Sequence, residues 1–309
     1  MSKRPRVTIV ARDIADPVYG VGELGSTFRQ VRWSVGPPVY VEESDNWVLV
    51  EQDGTPRGII FLDDSQYLGK AADEVLTEDG LLPISPSEII GVNTPFSDLL
   101  TLFASRSSRE YLLLDGSRIT HCLADWHLSR TPARLALLQP CLDLDAALEA
   151  LMMLAPGNYL DDKARATFHQ RVGDWGYDAS GAESDRILVR CAGLRDKWRL
   201  IRKHPNVVVE ALDFIVPDGV DKTPDGIDQL LFKIANFRDG LVHGHAVLPL
   251  SPFASLRNPV PNERHRRAAK ELVSLMTIID HLIDSIERFV RRRTPKWEGG
   301  EFDPVSPPR

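Results

Sequence analysis

Near Pro132 the spacing of apolar residues changes, and that change constrains the fold more than any other feature of the chain. Before it, short runs rich in β-branched residues alternate with turn residues, the pattern of α/β units. After it, apolar stripes recur at intervals of three and four, the pattern of helices. One layer of secondary structure cannot satisfy both periods, so two modules are expected, 1–135 and 136–293, with the Pro- and Gly-rich residues 294–309 as a disordered tail. A chain of 309 residues has room for two cores.

In the first module, residues 46–51 (NWVLVE) and 58–62 (GIIFL) flank Asp53-Gly54-Thr55-Pro56, a hairpin signal in which Gly supplies positive φ. The pattern returns. Residues 96–105 (FSDLLTLFAS) read as an amphipathic helix, and 110–114 (EYLLL) and 119–123 (ITHCL) repeat strand, turn and strand around Asp115-Gly116-Ser117. A spacing of about 60 residues suggests internal duplication.

The second module begins with Leu- and Ala-rich residues 133–154, in which Pro140 is expected to kink or break a helix. Residues 156–184, rich in Gly and Asp, read as a connection with one short helix. Ile187, Cys191, Leu194, Trp198 and Ile201 then form one stripe, with Arg195, Lys197, Arg199, Arg202 and Lys203 on the other faces. Thr223-Pro224 predicts a helix start ahead of Ile227, Leu230, Leu231 and Ile234. The clearest helix covers about 262–293, with Leu272, Leu275, Met276, Ile279, Leu282, Ile283, Ile286 and Phe289 at helical spacing.

No apolar run approaches the roughly 18 residues that cross a bilayer, so a soluble, cytoplasmic protein without a membrane partner is expected. Cys122, Cys141 and Cys191 are too few and too far apart for a disulfide framework, and buried free thiols are expected instead. The net charge of −7 hides an asymmetry: residues 1–155 hold 13 basic and 22 acidic residues, residues 156–309 hold 24 and 22. Phosphates would be tolerated in the second part.

DGTPRGIIFLDD (residues 53–64) resembles the end of a CBS repeat, a family whose paired repeats commonly bind adenine nucleotides. The resemblance places Gly58 at the family's glycine and Asp64 at the ribose-holding carboxylate, with Phe61 where a hydroxyl residue is usual. ITHCLADWHLSRTPARL (residues 119–135) is similar to the second repeat of CBS fusions, with His121 at the glycine, Ala124 at the hydroxyl and His127 at the aspartate position. A shifted register puts Asp125 at the ribose, but Leu128, Pro132 and Arg134 favour the first alignment. An adenine nucleotide is thereby implied as a regulatory ligand, with no cofactor required for catalysis. His121 and His127 lack the carboxylate or Cys partner of a metal set, so no metal is expected.

FRDGLVHG (residues 237–244) resembles the Arg-x(4–6)-His motif of HEPN helical domains, where a polar residue follows the Arg. Arg199 to His204 has similar spacing but runs into Pro205. Arg238 also lies four residues beyond Ile234, on the apolar stripe, where an Arg is costly unless it meets a partner or a cleft. Arg238 and His243 are about 140° apart on a helix, so a composite site from two chains is expected, while Asp239 stands at i, i+4 from His243 and can orient its imidazole. The implied fold is α+β multidomain, with CBS-like α/β repeats followed by an all-α HEPN-like bundle. The implied activity is a homodimeric, metal-independent endoribonuclease acting on single-stranded RNA in stress response or defence, with Arg238, Asp239 and His243 catalytic. Arg195, Lys197, Arg199, Arg202, Arg264, Arg266, Arg267 and Arg291 to Arg293 are candidate phosphate contacts. A non-catalytic adenine-nucleotide-sensing or scaffold dimer, with Arg238 and Asp239 as a structural pair, uses the same residues.

Overall fold

The computed structural model describes residues 8–33, 46–62, 75–78, 81–105, 110–152, 192–201, 221–244 and 263–293, with residues 166, 170 and 247. It is an α+β protein, and it divides into two compact units. The sheet unit comprises Met1–Gln139 and Gly240–Ser274, and the helical unit Pro140–Asp239 and Leu275–Arg309. The expected tail at 294–309 and the connection at 156–184 lie almost wholly outside the described residues.

Eight described strands form one sheet in the sheet unit. β1 (Asp16–Glu23), β2 (Arg32–Trp33), β3 (Asn46–Gln52) and β4 (Thr55–Leu62) precede β5 (Leu82–Pro83), β6 (Ile89–Gly91), β7 (Glu110–Asp115) and β8 (Arg118–Ala124). The order is β5-β4-β3-β1-β8-β7-β6, with β2 paired to β1. One arrangement occurs twice: the hairpin β3–β4 has β1 parallel to its first strand, and the hairpin β7–β8 has β6 parallel to its first strand. Helix α1 (Phe96–Ser105) lies between β6 and β7 in the chain, and buries Leu99, Leu100 and Phe103.

Turn chemistry sets both hairpins. Gln52 faces Thr55, and Asp53 and Gly54 both have positive φ (52° and 72°), the two-residue turn whose twist matches the strands. In the other hairpin only Gly116, at the first central position, takes positive φ (61°). The unbroken apolar run of β3 follows from burial on both faces. Leu49 joins Val18, Ile59, Leu112 and Cys122 on one side, while Val48 and Val50 join Val31 and Leu76 on the other. A side chain at Gly22 would collide with the Leu76 side chain.

β1 and β8 share only two register pairs, Asp16 with Cys122 and Pro17 with His121. Side chains reinforce this seam. His127, in the 3-10 turn Asp125–Ser129 that follows β8, accepts the Ala124 N–H on Nδ1 (2.6 Å), so its proton sits on Nε2, which donates to Asp16 Oδ2 (2.8 Å). Arg130 donates to Asp16 Oδ1 (2.6 Å) and to the Ile14 carbonyl (2.9 Å). His127 is fully buried and Asp16 nearly so. Burial holds the His127 pKa below its ordinary value despite the bond to Asp16, with the Arg130 charge acting in the same direction. Burial alone would raise the Asp16 pKa, but the hydrogen bonds and charges of His127 and Arg130 together hold it below the usual carboxylate range.

The helical unit is built from parts of α2 (Thr131–Met152), α4 (Pro224–Val242) and α5 (Glu263–Arg293), with α3 (Leu194–Ile201). Its core holds Leu144, Leu148 and Leu151 with Trp198, Ile201, Ile227, Leu231 and Ile234 and with Ile279, Leu282, Ile283, Ile286 and Phe289. The described parts of the three stripes read from sequence, Leu194 to Ile201, Ile227 to Ile234 and Leu275 to Phe289, are thus the faces that meet. α2 continues as one helix through Pro140, so of the expected kink or break the break does not occur. A proline removes one N–H from the helical ladder, and the buried residues on either side, Leu137, Cys141 and Leu144, anchor both flanks. Thr223 Oγ1 accepts the Gly226 N–H (3.1 Å), the expected cap of α4. Ile187 and Cys191 lie outside the described residues. Cys122 and Cys141 are buried free thiols, and burial pushes the Cys141 pKa to about 12 and that of Cys122 well up. Among the described residues no helix is long and apolar enough to cross a membrane.

His127 and Asp16 both have depressed native pKa values, so their contributions to stability are whole at neutral pH. That of His127 is lost as pH falls below about 6.5, and that of Asp16 as pH falls below about 3.8. Urea midpoints should therefore fall between pH 7 and pH 5, and His127→Gln should lower the unfolding free energy at pH 7 by about 1–3 kcal/mol while flattening that dependence. A His127→Gln protein whose midpoint follows pH as the parent does would contradict this assignment.

Candidate functional site

α4 carries Ile227, Leu230, Leu231 and Ile234 into the core of the helical unit, and Arg238 follows four residues later on the same stripe. The guanidinium is half-buried, and its charge is felt by the buried thiol of Cys141. Neighbouring residues on a helix point about 100° apart. The long Arg238 side chain nevertheless folds over to Asp239, donating from Nε (3.1 Å) and Nη2 (3.0 Å) to Oδ1. Sequence spacing had Asp239 serving His243; the structure gives the carboxylate Arg238 as a partner. With side chains 25% and 55% exposed, such a pair is worth no more than about 1 kcal/mol.

His243 stands in the turn that follows Val242, and its side chain is exposed. Arg238 and Asp239 belong to the helical unit and His243 to the sheet unit. The turn is anchored within the sheet unit. Arg134 donates from Nε to the Leu241 carbonyl (2.8 Å), from Nη2 to the same oxygen, and from Nη2 to the Val242 carbonyl (3.3 Å). Gly244 reverses the chain with φ of 78°, and Val247 N–H donates to Ser129 Oγ (3.1 Å). His245 lies outside the described residues.

No family model, curated protein or solved structure matches this chain. The CBS-like and HEPN-like readings therefore rest on motif residues. Gly58, from the first of them, is buried in β4 between Val50 of β3 and Pro83 of β5, and Asp64 lies outside the described residues. In the second repeat, His127 and Ala124 are occupied within the seam described above rather than turned toward a ligand. Both His127 nitrogens are engaged, which leaves no lone pair for a metal.

The candidate phosphate contacts separate by environment. Lys197 is fully buried, its Nζ donating to Asp145 Oδ2 at 2.6 Å and aligned with the Asp145 carbonyl at 3.5 Å, so its expected role as a surface cation is corrected. The signal was in the sequence: at about 100° per residue, Lys197 falls within 60° of Leu194 and close to Ile201, at the edge of the apolar stripe. Arg195 donates to Asp228 (3.2 Å) and lies 4.4 Å over the Phe232 ring, and Arg199 is shared between Asp196 and Asp228. Arg267 and Arg291 make exposed i, i+4 pairs with Glu271 and Glu287, contacts weak enough to exchange for phosphate. Arg202 lies outside the described residues.

Lys197→Ala should destabilise the protein by about 2 kcal/mol, since it removes a fully buried side chain and leaves the half-buried Asp145 carboxylate without its cation, whereas Arg199→Ala should cost less than about 1 kcal/mol. Chemical denaturation checks both. A Lys197→Ala protein of unchanged stability would return Lys197 to the surface cations.

Proposed function

We propose that the protein is a homodimeric, metal-independent endoribonuclease whose site pairs Arg238 of one chain with His243 of the other. The observation that carries this reading is the state of Arg238: it sits at the end of a buried stripe, yet it is held by an exposed ion pair worth under about 1 kcal/mol. A charge-assisted, two-pronged bond to a phosphate is stronger than that pair, so the guanidinium is available to a substrate at little cost. His243 is exposed on its turn and so accessible to solvent.

In this reading the ribose 2′-hydroxyl attacks the adjacent phosphorus while His243 moves a proton as general acid or base. Arg238 stabilises the charge that gathers on the phosphorane, and Asp239 holds the guanidinium in plane until substrate arrives. The P–O5′ bond breaks, the 5′ oxygen takes up a proton, and a 2′,3′-cyclic phosphate remains on the other fragment. Dependence on the 2′-hydroxyl selects RNA over DNA. The sheet unit supplies regulation, with an adenine nucleotide as its ligand.

A second reading is favoured by the Arg238 to Asp239 bonds themselves, which are those of a structural pair in a non-catalytic, nucleotide-sensing or scaffold dimer. Incubation with single-stranded RNA in EDTA separates the two. The nuclease reading expects cleavage leaving 5′-hydroxyl ends, lost at least about 100-fold in His243→Ala with unchanged circular dichroism. Cleavage that survives in His243→Ala would overturn it. Absence of any cleavage, with stabilisation by an adenine nucleotide of about 2.7 kcal/mol at 100 times its dissociation constant, would select the second reading.

A further inference from the structure

We propose that the corner between β8 and α2 sets the position of the His243 turn, with Arg134 as a positioning residue and Ser129 as its second anchor. For its catalytic consequence this inference rests on the ribonuclease reading; for its geometry it does not.

The last carbonyls of a helix have no N–H of their own helix to accept. At the end of α4 those of Leu241 and Val242 are instead taken by one guanidinium, that of Arg134. A cation there also meets the negative end of the helix dipole. On the far side of His243, the Val247 N–H is held by Ser129 Oγ at 3.1 Å. Between the two anchors Gly244 takes φ of 78°, and a Cβ built on it would lie 3.4 Å from Arg134 Nη1, so the turn closes against the same side chain. Thus both flanks of His243 are tied to the start of α2.

That corner is itself fixed to the sheet. His127 and Arg130, from the same stretch as Ser129 and Arg134, both close on Asp16 of β1. The chain of contacts runs from β1 through Asp16 to the corner, and from the corner to the carbonyls beside His243. A rearrangement that shifts β1 against β8 must carry the corner with it, and so reaches the imidazole without touching α4 elsewhere. Regulation by the sheet unit thereby acquires a physical route, through two hydrogen-bonding residues within six positions.

The test uses the full-length protein with Arg134→Gln, Arg134→Lys and Ser129→Ala. Amide hydrogen exchange is read at residues 241–247, with residues 111–114 of β7 as the internal reference. Exchange at 241–247 is expected to rise about tenfold in Arg134→Gln with the reference unchanged, less in Ser129→Ala, and Arg134→Lys should recover part of the loss, since it keeps a cationic donor without the fork. In RNA cleavage, Arg134→Gln should lower kcat about tenfold and leave KM within about twofold. Unchanged exchange at 241–247, or an equal rise at the reference, overturns the inference, as does a change confined to KM. A selective rise in exchange in a protein that turns over no RNA upholds the hold on the turn and overturns the nuclease reading instead.

Discussion

A carboxylate buried as deeply as that of Asp16 is costly unless every lone pair is met, and the partners it finds lie 111 and 114 positions away in the chain. His127 and Arg130 meet it at the seam where β1 and β8 share only two register pairs, one of them at a proline without an N–H. The seam's apolar face is continuous across that join, from Leu49 and Ile59 through Val18 to Cys122 and Leu112. Polar bonding at one end and apolar packing along the face together make one sheet out of two three-strand arrangements. Remove the cluster, and the corner that starts α2 loses its fixed point.

The helical unit follows a simpler logic. Four apolar stripes converge, and the exceptions to apolarity are informative. Lys197 is compensated inside by Asp145 and is structural. Arg238 ends its stripe at the rim, where among the described residues its ion pair is with the exposed Asp239, and the proposed role at a phosphate starts from that weak pair. The two cations differ in burial, Lys197 being sealed from solvent and Arg238 a quarter exposed.

Much of this was legible in advance where local chemistry decides. The Asp53-Gly54 turn, the Thr223 cap and the stripes of α4 and α5 each depend on residues within a few positions of one another. What was hidden depends on distance. β1 (DPVYGVGE) carries Pro17 and two glycines, poor material for a strand, and exists as one because β3 and β8 flank it. Pro140 suggested a kink or a break, and α2 runs through it as one helix. His127 sits three residues after the Ala124 N–H it accepts, a spacing that can be read, but its bond to Asp16 cannot be. Likewise nothing near Arg134 in sequence indicated that it closes the end of α4.

The proposed site depends on residues from two chains, and mixing variants tests that dependence directly. Arg238→Ala and His243→Ala proteins should each be inactive alone. Unfolded together and refolded as a mixture, half of the dimers would carry both kinds of chain, each with one intact pairing of Arg238 and His243, so roughly a quarter of the parental RNA cleavage should return. A mixture as inactive as its components, in a protein whose parent cleaves RNA, would contradict the shared site.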